Sequence, residues 1–253
     1  ERTRALPDAL RNALSRYSGL SDFGETAGFE DALETASGML VTFYYRGIER
    51  PMADGTVLGE TRLVAQFDPS RVEELARSLS LPLWPPERPA IEVWIVTDNG
   101  RERQVLPLEI AYLREMLDDA ARLRGQPLVW PEPDEDGMYP VDMQLLWGGY
   151  TEDLAGANGV GALILAARRE GPEWNVRANL GFSGEHQAWR TRDVSLESAM
   201  QQSLQAAIDQ VAAIRAIDAS GLGEGRYRLT VEGIGGSDAY RECLSYLENM
   251  VVV

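Results

Sequence analysis

The chain has 253 residues, 44% of them apolar, which is enough to fill the core of one large domain or of two ordinary ones. Its 40 acidic and 24 basic residues give a formal net charge of −16, which argues against nucleic acids and anionic lipid surfaces as partners. No run of about twenty apolar residues occurs, so we expect no membrane span.

The residue types that are missing exclude several classes of enzyme. Every basic residue is arginine, so there is no lysine for a Walker-type phosphate site, a Schiff base or an S-x-x-K hydrolase. His186 is the single histidine and Cys243 the single cysteine, which excludes an internal disulfide and a tetrahedral zinc site of nitrogen and sulfur ligands. We predict that Cys243 is a buried structural thiol, that no cofactor or metal is bound, and that the protein is not an enzyme.

Residues 1–86 are predicted to form an α+β domain in the order helix, hairpin, helix. Apolar spacing, a turn signal and an Asp-Pro helix start define its elements. They are a helix over 3–17 closed by Gly19, a short helix over 29–36, a hairpin over 40–67 that turns at Asp54-Gly55, and a helix that begins at Asp68-Pro69. Four prolines within residues 81–89 mark the domain boundary, since proline interrupts helices and strands alike.

Residues 87–219 are predicted to form a central α/β domain, a mixed sheet with flanking helices. A buried strand over 90–98, a helix over about 108–124 ending at Gly125, and a strand over 127–130 imply a parallel strand pair covered by the helix. The later elements are short helices over 141–147 and 151–157, a strand over 161–169, antiparallel strands over 173–182 and 186–191, and a helix over 194–216.

Residues 220–253 are predicted to form a partial βαβ unit of strand, turn, helix and strand. A unit this small cannot bury a core of its own. We expect it to dock on its neighbour or to begin a third domain, and we favour a chain that continues past Val253. The predicted fold class is therefore α/β and α+β.

The stretch "GANGVGALILAARR" over 156–169 raises the question of a phosphate-binding loop. In such loops the glycines follow a strand and precede a helix, because the phosphate meets the free N–H groups of the helix N-terminus. Here a predicted helix comes first and a strand follows, and the spacing of Gly156, Gly159 and Gly161 does not match G-x-G-x-x-G. We predict a helix-to-strand connection with a glycine cap.

The other candidate sites are individually weak. His186 lies between a glycine-rich turn and Trp189, which favours a surface or edge-strand imidazole over a catalytic base. The acidic loop has Glu132, Asp134, Glu135 and Asp136 but lacks the residue order of a calcium loop, so we predict a solvated loop and leave calcium open. A glycosidase-type carboxylate pair also stays open.

Four residues are candidates for binding a partner protein. Trp84 and Trp147 are candidates for an exposed groove, whereas we interpret Trp94 and Trp130 as core residues. His186 and Trp189 belong to the strand "HQAWRTRD", whose exposable edge could accept a partner strand.

Five stretches of the chain carry a resemblance to a known family: "ALPDALRNALSRYSG", "RLVAQFDPSRVEELARSLSLPLW", "RPAIEVWIVTDNG", "LLWGGYTEDL" and "GVGALILAARREGPEWNVRANL". Together they resemble a bacterial family of exported proteins of unknown function, in which a signal peptide precedes an R-x-x-A-L-x-x-A-L-x-x-x-x-x-G helix. The resemblance implies a periplasmic location in a bacterium with an outer membrane and a leader ahead of Glu1. It supplies no catalytic residue.

The segment "GANGVGALILAA" occupies the place of a helix, glycine and strand of the "GADAVLVG" kind. In this respect residues 89–216 resemble the α/β module of envelope-assembly lipoproteins and the N-terminal domain of the Tol translocation protein. The chain departs from that pattern at Asn158-Gly159, where the module has Ala-Asp. The module binds partner proteins and does no chemistry, which implies a scaffold or adaptor.

We therefore expect a non-catalytic binding or assembly protein of the bacterial periplasm, with one or more envelope proteins as partners. A carboxylate-pair glycan hydrolase and a small-ligand or metal receptor using the acidic loop are the alternatives. The acidic surface is predicted to serve solubility, and a partner with a basic face is the alternative.

Overall fold

The computed structural model describes residues 2–51, 57–107, 110–139, 141–152, 154, 161–217, 231 and 235–248. The protein is a mixed α/β structure, as predicted. Its helices are α1 (Arg2–Ser18), α2 (Phe29–Glu34), α3 (Ala36–Met39), α4 (Pro69–Ser78), α5 (Tyr112–Arg124), α6 (Met143–Gly148), α7 (Leu196–Arg215) and α8 (Ser237–Glu248). Its strands are β1 (Leu40–Pro51), β2 (Val57–Phe67), β3 (Ile91–Asp98), β4 (Arg103–Val105), β5 (Leu128–Val129), β6 (Gly161–Glu170), β7 (Glu173–Phe182) and β8 (Glu185–Asp193). Within the described ranges, no helix combines the length and apolarity that crossing a bilayer requires.

The predicted N-terminal helix and hairpin are confirmed. Helix α1 ends where Gly19 adopts a φ of 78°, and strands β1 and β2 pair in antiparallel register. Their turn at Asp54-Gly55 lies outside the described residues. The predicted helix over 29–36 is two shorter helices, α2 and α3, with Thr35 between them.

Helix α4 begins as its sequence predicts. The Asp68 carboxylate accepts hydrogen bonds from the backbone N–H groups of Ser70, at 3.0 Å, and Arg71, at 3.4 Å. These bonds satisfy donors that have no partner inside the helix, and Pro69 at the first position has no N–H to satisfy. Val72 and Ala76 are the buried residues of this helix.

Two larger apolar clusters lie on either side of the proline-rich segment. The N-terminal one is formed by α1, α2, α4 and the hairpin, and the central one by the main sheet with α5 and α7. Leu83 and Ile217 join the two regions through a two-bond bridge, with N···O distances of 2.8 and 2.7 Å. The domain boundaries themselves stay a prediction.

The central sheet has the order β4-β3-β6-β7-β8, and β5 pairs with β3. Strand β3 runs parallel to β5 and β6, while β6, β7 and β8 are successively antiparallel. The predicted parallel pair around α5 is therefore confirmed. Helix α5 begins at Tyr112, later than predicted, and ends at Gly125 with a φ of 73°. Strand β4 was not predicted.

The two faces of this sheet are covered differently. Helices α5 and α7 pack on one face over the larger cluster, and α6 covers part of the other over Trp94, Val96 and Ile164. The helix predicted over 151–157 is wrong where it is described, because Thr151, Glu152 and Leu154 are not helical. The remaining residues of that stretch, with Gly156 and Gly159, lie outside the described residues.

Near the C-terminus, the predicted helix of the βαβ unit is present as α8. The strands predicted on either side of it lie outside the described residues. Cys243 in α8 is partly exposed, and Tyr240 and Leu244 beside it are exposed. The prediction of a buried thiol is therefore wrong, since no apolar element among the described residues covers this helix face.

Candidate functional site

Trp84 and Trp189 lie in packed positions. The expectation of an exposed Trp84 is wrong, because only 2% of this residue is accessible. Its ring stacks on the Arg88 guanidinium at 3.8 Å and fills the space beside Gly19. Trp189 is partly buried and packs against the larger core cluster. Neither ring forms an exposed groove.

Trp147 and His186 lie on the opposite side of the sheet from Trp189. Trp147 is partly buried at the end of α6 and joins the smaller apolar cluster. His186 is directly opposite Gly181 in the β7–β8 register, and its side chain is 51% exposed. Successive strand residues point to opposite faces, so His186 and Trp189, three positions apart, face opposite sides. Only two of the four predicted residues, Trp147 and His186, therefore lie on the same side of the sheet.

The side of the sheet that carries Trp147 and His186 is rich in arginine. Residues directly opposite each other in neighbouring strands project from the same face. The register places Arg177 opposite Arg190, and Arg192 opposite Asn175, which is itself opposite Arg168. We call the following set the arginine face: Arg103, Arg168, Arg177, Arg190 and Arg192.

Asp98 neutralises one corner of the arginine face. Its Oδ2 lies 3.4 Å from Arg103 Nε and 4.0 Å from Arg168 Nη2. The hydrogen bond from the Gly100 N–H lowers the pKa of Asp98 most, burial opposes it, and the two arginines lower it further. Asp98 thus stays ionised, and its charge is committed to that corner.

Arg177 has no comparable carboxylate partner among the described residues. Its guanidinium lies 5.7 Å from the Trp147 ring centroid, and Arg103 lies 4.5 Å from the same ring. Its Nε and Nη2 atoms are buried and have no hydrogen-bond partner among the described residues. Burial lowers the pKa of Arg177, and repulsion from Arg190 and Arg103 adds to the effect. Buried donors of this kind normally have an acceptor, so an acceptor from outside the described residues is expected here.

Residues 147–152, which we call the cover segment, lie directly on this face. A Cβ on Gly149 would fall 2.5 Å from the Asn179 amide carbon, and one on Gly181 would fall 2.5 Å from Thr151 Oγ1. Only glycine permits such close approaches. Thr151 Oγ1 is 3.0 Å from His186 Nδ1, so the histidine holds the cover segment onto the strand.

Strand β8 borders the arginine face and ends the sheet. Among the described residues, no strand pairs with its outer edge, which spans nine residues. Arg190 and Arg192 are exposed on it, and neither forms an ion pair with a described residue. Charged side chains on an edge strand discourage pairing with a second copy of the same strand. They also make an edge selective for an oppositely charged partner strand.

The acidic loop folds back on itself. Asp134 Oδ1 accepts hydrogen bonds from the backbone N–H groups of Asp136, at 3.1 Å, and Met138, at 2.7 Å. Glu132 lies 3.9 Å from Arg114. In the part of the chain that the structure describes, no three histidine, cysteine, aspartate or glutamate side chains are placed to hold a metal ion.

The arginine face was not predicted from the sequence. Its residues come from four strands, and their meeting depends on strand pairing that no local pattern reports. One local signal exists, because Arg190 and Arg192 alternate along a strand and Asn175, Arg177 and Asn179 alternate along the preceding one. Polar residues in alternation on two neighbouring strands indicate a common polar face.

Residues 1–85 match the family described as a domain of unknown function (DUF8605). No curated protein matches the chain. The N-terminal domain of Protein Y from Thermus thermophilus aligns with a TM-score of 0.28 and 11% identity, over 51% of this chain and all of that one. The crystal structure of an uncharacterized protein aligns with a TM-score of 0.19 and 10% identity, over 51% and 96% of the two chains. Scores this low do not establish a shared fold.

Proposed function

We propose that this chain is a non-catalytic binding or assembly protein, and that strand β8 with the arginine face is the surface it uses. The occupant is an extended, acidic segment of a partner protein that adds a strand to β8. Its location in the bacterial periplasm, with an envelope protein as partner, is part of the proposal and is supported by the sequence resemblance alone.

One observation carries this proposal: an edge strand whose outer side pairs with no described strand bears arginines that have no carboxylate partner among the described residues. Although the chain has 40 acidic residues, no described carboxylate forms an ion pair with Arg190 or Arg192. Strand addition would supply backbone hydrogen bonds along β8, and acidic side chains at alternate positions would face Arg190 and Arg192.

A protein segment fits this surface better than a nucleic acid does. The net charge of −16 repels a long polyanion, whereas a short peptide carries few charges and meets the arginine face locally. The backbone edge of β8 also offers donors and acceptors in the spacing of another strand, which a nucleic acid backbone cannot match.

The binding experiment uses a fluorescently labelled peptide that alternates glutamate and valine, with anisotropy as the readout. We expect binding by the 253-residue chain that weakens strongly as salt rises from about 0.05 to about 0.5 M. Arg190→Glu should weaken binding by about tenfold or more, because it replaces an attractive charge by a repulsive one.

The matched control is Arg215→Glu, the same change at an exposed arginine in the last turn of α7. It should leave peptide binding unchanged. Equal binding by the two variants would contradict the proposal, as would equal affinity for a lysine and valine peptide. Tighter binding of single-stranded oligonucleotides would replace the protein partner by a nucleic acid. Fractionation of the natural protein tests its periplasmic location separately.

A further inference from the structure

A second positively charged site lies away from the arginine face, between α1 and the central sheet. An open cavity of about 480 Å³ separates the end of α1 from the end of α5. Its lining includes Arg16, Arg88, Asp118, Arg122, Gly125 and Gln126. All of these residues belong to the described chain, and none contributes to the arginine face.

Glycine allows two guanidinium groups to converge here. Gly125 has a φ of 73°, and a Cβ on it would fall 2.5 Å from Arg88 Nη1 and 3.1 Å from Arg16 Nε. Both arginines donate to carbonyl oxygens at the end of α5, Arg88 to that of Arg124 and Arg16 to that of Arg122. These contacts suit the negative end of a helix dipole. The carbonyl oxygens accept hydrogen bonds from the two guanidinium groups but carry no net negative charge.

Arg88 and Arg16 carry charges that no described carboxylate pairs with directly. Arg122 pairs with Asp119 at 2.6 Å, but neither Arg88 nor Arg16 forms an ion pair with a described residue. Arg88 instead donates to backbone oxygens from all three of its nitrogens: Nε to Pro85 at 3.0 Å, Nη1 to Arg124, and Nη2 to Arg16 at 2.5 Å and to Trp84 at 3.5 Å. Burial lowers the pKa of Arg88 to about 10, and the charges of Arg16 and Arg124 contribute to that decrease. Arg16 and Arg88 thus outnumber Asp118, the one carboxylate among the described lining residues, and the cavity keeps an excess of positive charge.

Gln126 adds a second requirement, for a ligand group that donates a hydrogen bond. It is 2% accessible, and its Nε2 donates to the carbonyl oxygens of Pro89, at 2.8 Å, and Pro127, at 3.1 Å. Those two bonds fix the orientation of the amide. Its Oε1 is therefore an acceptor, and it is buried with no hydrogen-bond partner among the described residues. Asp118, the carboxylate that lines the cavity, is also an acceptor, and Trp130 already donates to its Oδ1 at 2.8 Å.

We infer that this cavity binds inorganic phosphate as the hydrogen phosphate dianion. Its unprotonated oxygens accept hydrogen bonds from Arg16 and from the one remaining N–H group of Arg88, on Nη1, and its P–OH group donates to Gln126 or Asp118. The combination selects a ligand with both negative charge and a proton to donate. Sulfate has the same charge and a similar size but no proton, and a phosphate monoester dianion likewise has none.

The experiment is titration calorimetry of the whole chain at about pH 8, where a monoester with a second pKa of about 6 is fully deprotonated. Phosphate, sulfate and methyl phosphate are compared at constant ionic strength. We expect phosphate to bind about tenfold more tightly than either of the others, because only it pairs the buried acceptor. Equal affinity for phosphate and sulfate, or no binding of phosphate, would overturn the assignment.

Variants locate the site. Arg16 is exposed at the end of α1, so Arg16→Gln should fold and should weaken phosphate binding by about tenfold. Arg11→Gln is the matched control, an arginine on the same helix that pairs with Glu30 at 3.0 Å, outside the cavity. It should not change phosphate affinity. The same loss in both variants would overturn the assignment, whatever the outcome of the peptide experiment.

Discussion

Gly149→Ala tests whether the cover segment lies on the sheet as described. Gly149 has a φ of 85°, and alanine in this region costs about 1–2 kcal/mol. The new Cβ would also lie 2.5 Å from Cγ and Nδ2 of Asn179, and overpacking of this kind costs about 1–3 kcal/mol. The expected loss in free energy of unfolding is therefore about 2–5 kcal/mol.

Gly184→Ala isolates the backbone part of that loss. Gly184 has a φ of 81°, and beyond its chain neighbours no described atom lies within 4 Å of the position that a Cβ would take, so only the conformational cost applies. Thermal unfolding of the two variants should differ by about 1–3 kcal/mol, or about 2–12 °C in Tm for a chain of this size.

A double variant makes the test specific. Asn179 Nδ2 has no hydrogen-bond partner among the described residues, so truncating this side chain removes the obstacle and breaks no bond made by that atom. Asn179→Ala should therefore restore the extra stability that Gly149→Ala loses relative to Gly184→Ala. Equal Tm values for the two glycine variants, or no rescue, would refute the described contact between cover segment and sheet.

Two further predictions concern charged groups. Asp209→Ala removes the carboxylate 2.8 Å from Arg124, whose side chain is only 6% exposed, and should lower the free energy of unfolding by about 1–3 kcal/mol in thermal unfolding. Glu30→Ala breaks an exposed ion pair with Arg11 and should lower it by about 0–1 kcal/mol. Equal losses in the two variants would contradict the role of burial. The Gly100 N–H and the neighbouring arginines lower the pKa of Asp98 from its ordinary value. Its stabilisation is therefore fully present above the unfolded-state pKa and is lost as pH falls through the folded-state pKa. Asp98→Asn should therefore lower Tm at neutral pH and converge with the unchanged protein in acid; a constant difference in Tm across that range would contradict this.

Elements with strong local signals were predictable from the sequence. The apolar run of β3 indicates a strand buried on both faces, and the alternation of apolar and polar residues in β7 and β8 indicates strands with one buried face. Gly125 ends α5 because the residue after the helix adopts a left-handed conformation. Strand β4 has three residues and no usable period, so it was missed. The helix expected at 151–157 fails at Thr151, whose side chain is instead held by His186.

The candidate site was less predictable, because it depends on long-range pairing. Trp84 stands among prolines that suggested an exposed linker, yet its backbone N–H donates to the Tyr17 carbonyl oxygen and its ring fills the space beside Gly19. Arg177 and Arg190 meet only through the register of β7 and β8. Sequence alternation indicates that each strand has a polar side, but not that the two sides coincide.

Hydrogen exchange of the β8 backbone amides tests the central claim most directly. In the free chain, amides on the outer edge of β8 should exchange rapidly, because no described strand pairs with them. Saturation with the glutamate and valine peptide should slow those amides and leave the amides of α7 unchanged. Protection of the outer edge already in the free chain, or binding of the peptide without protection, would contradict strand addition to β8.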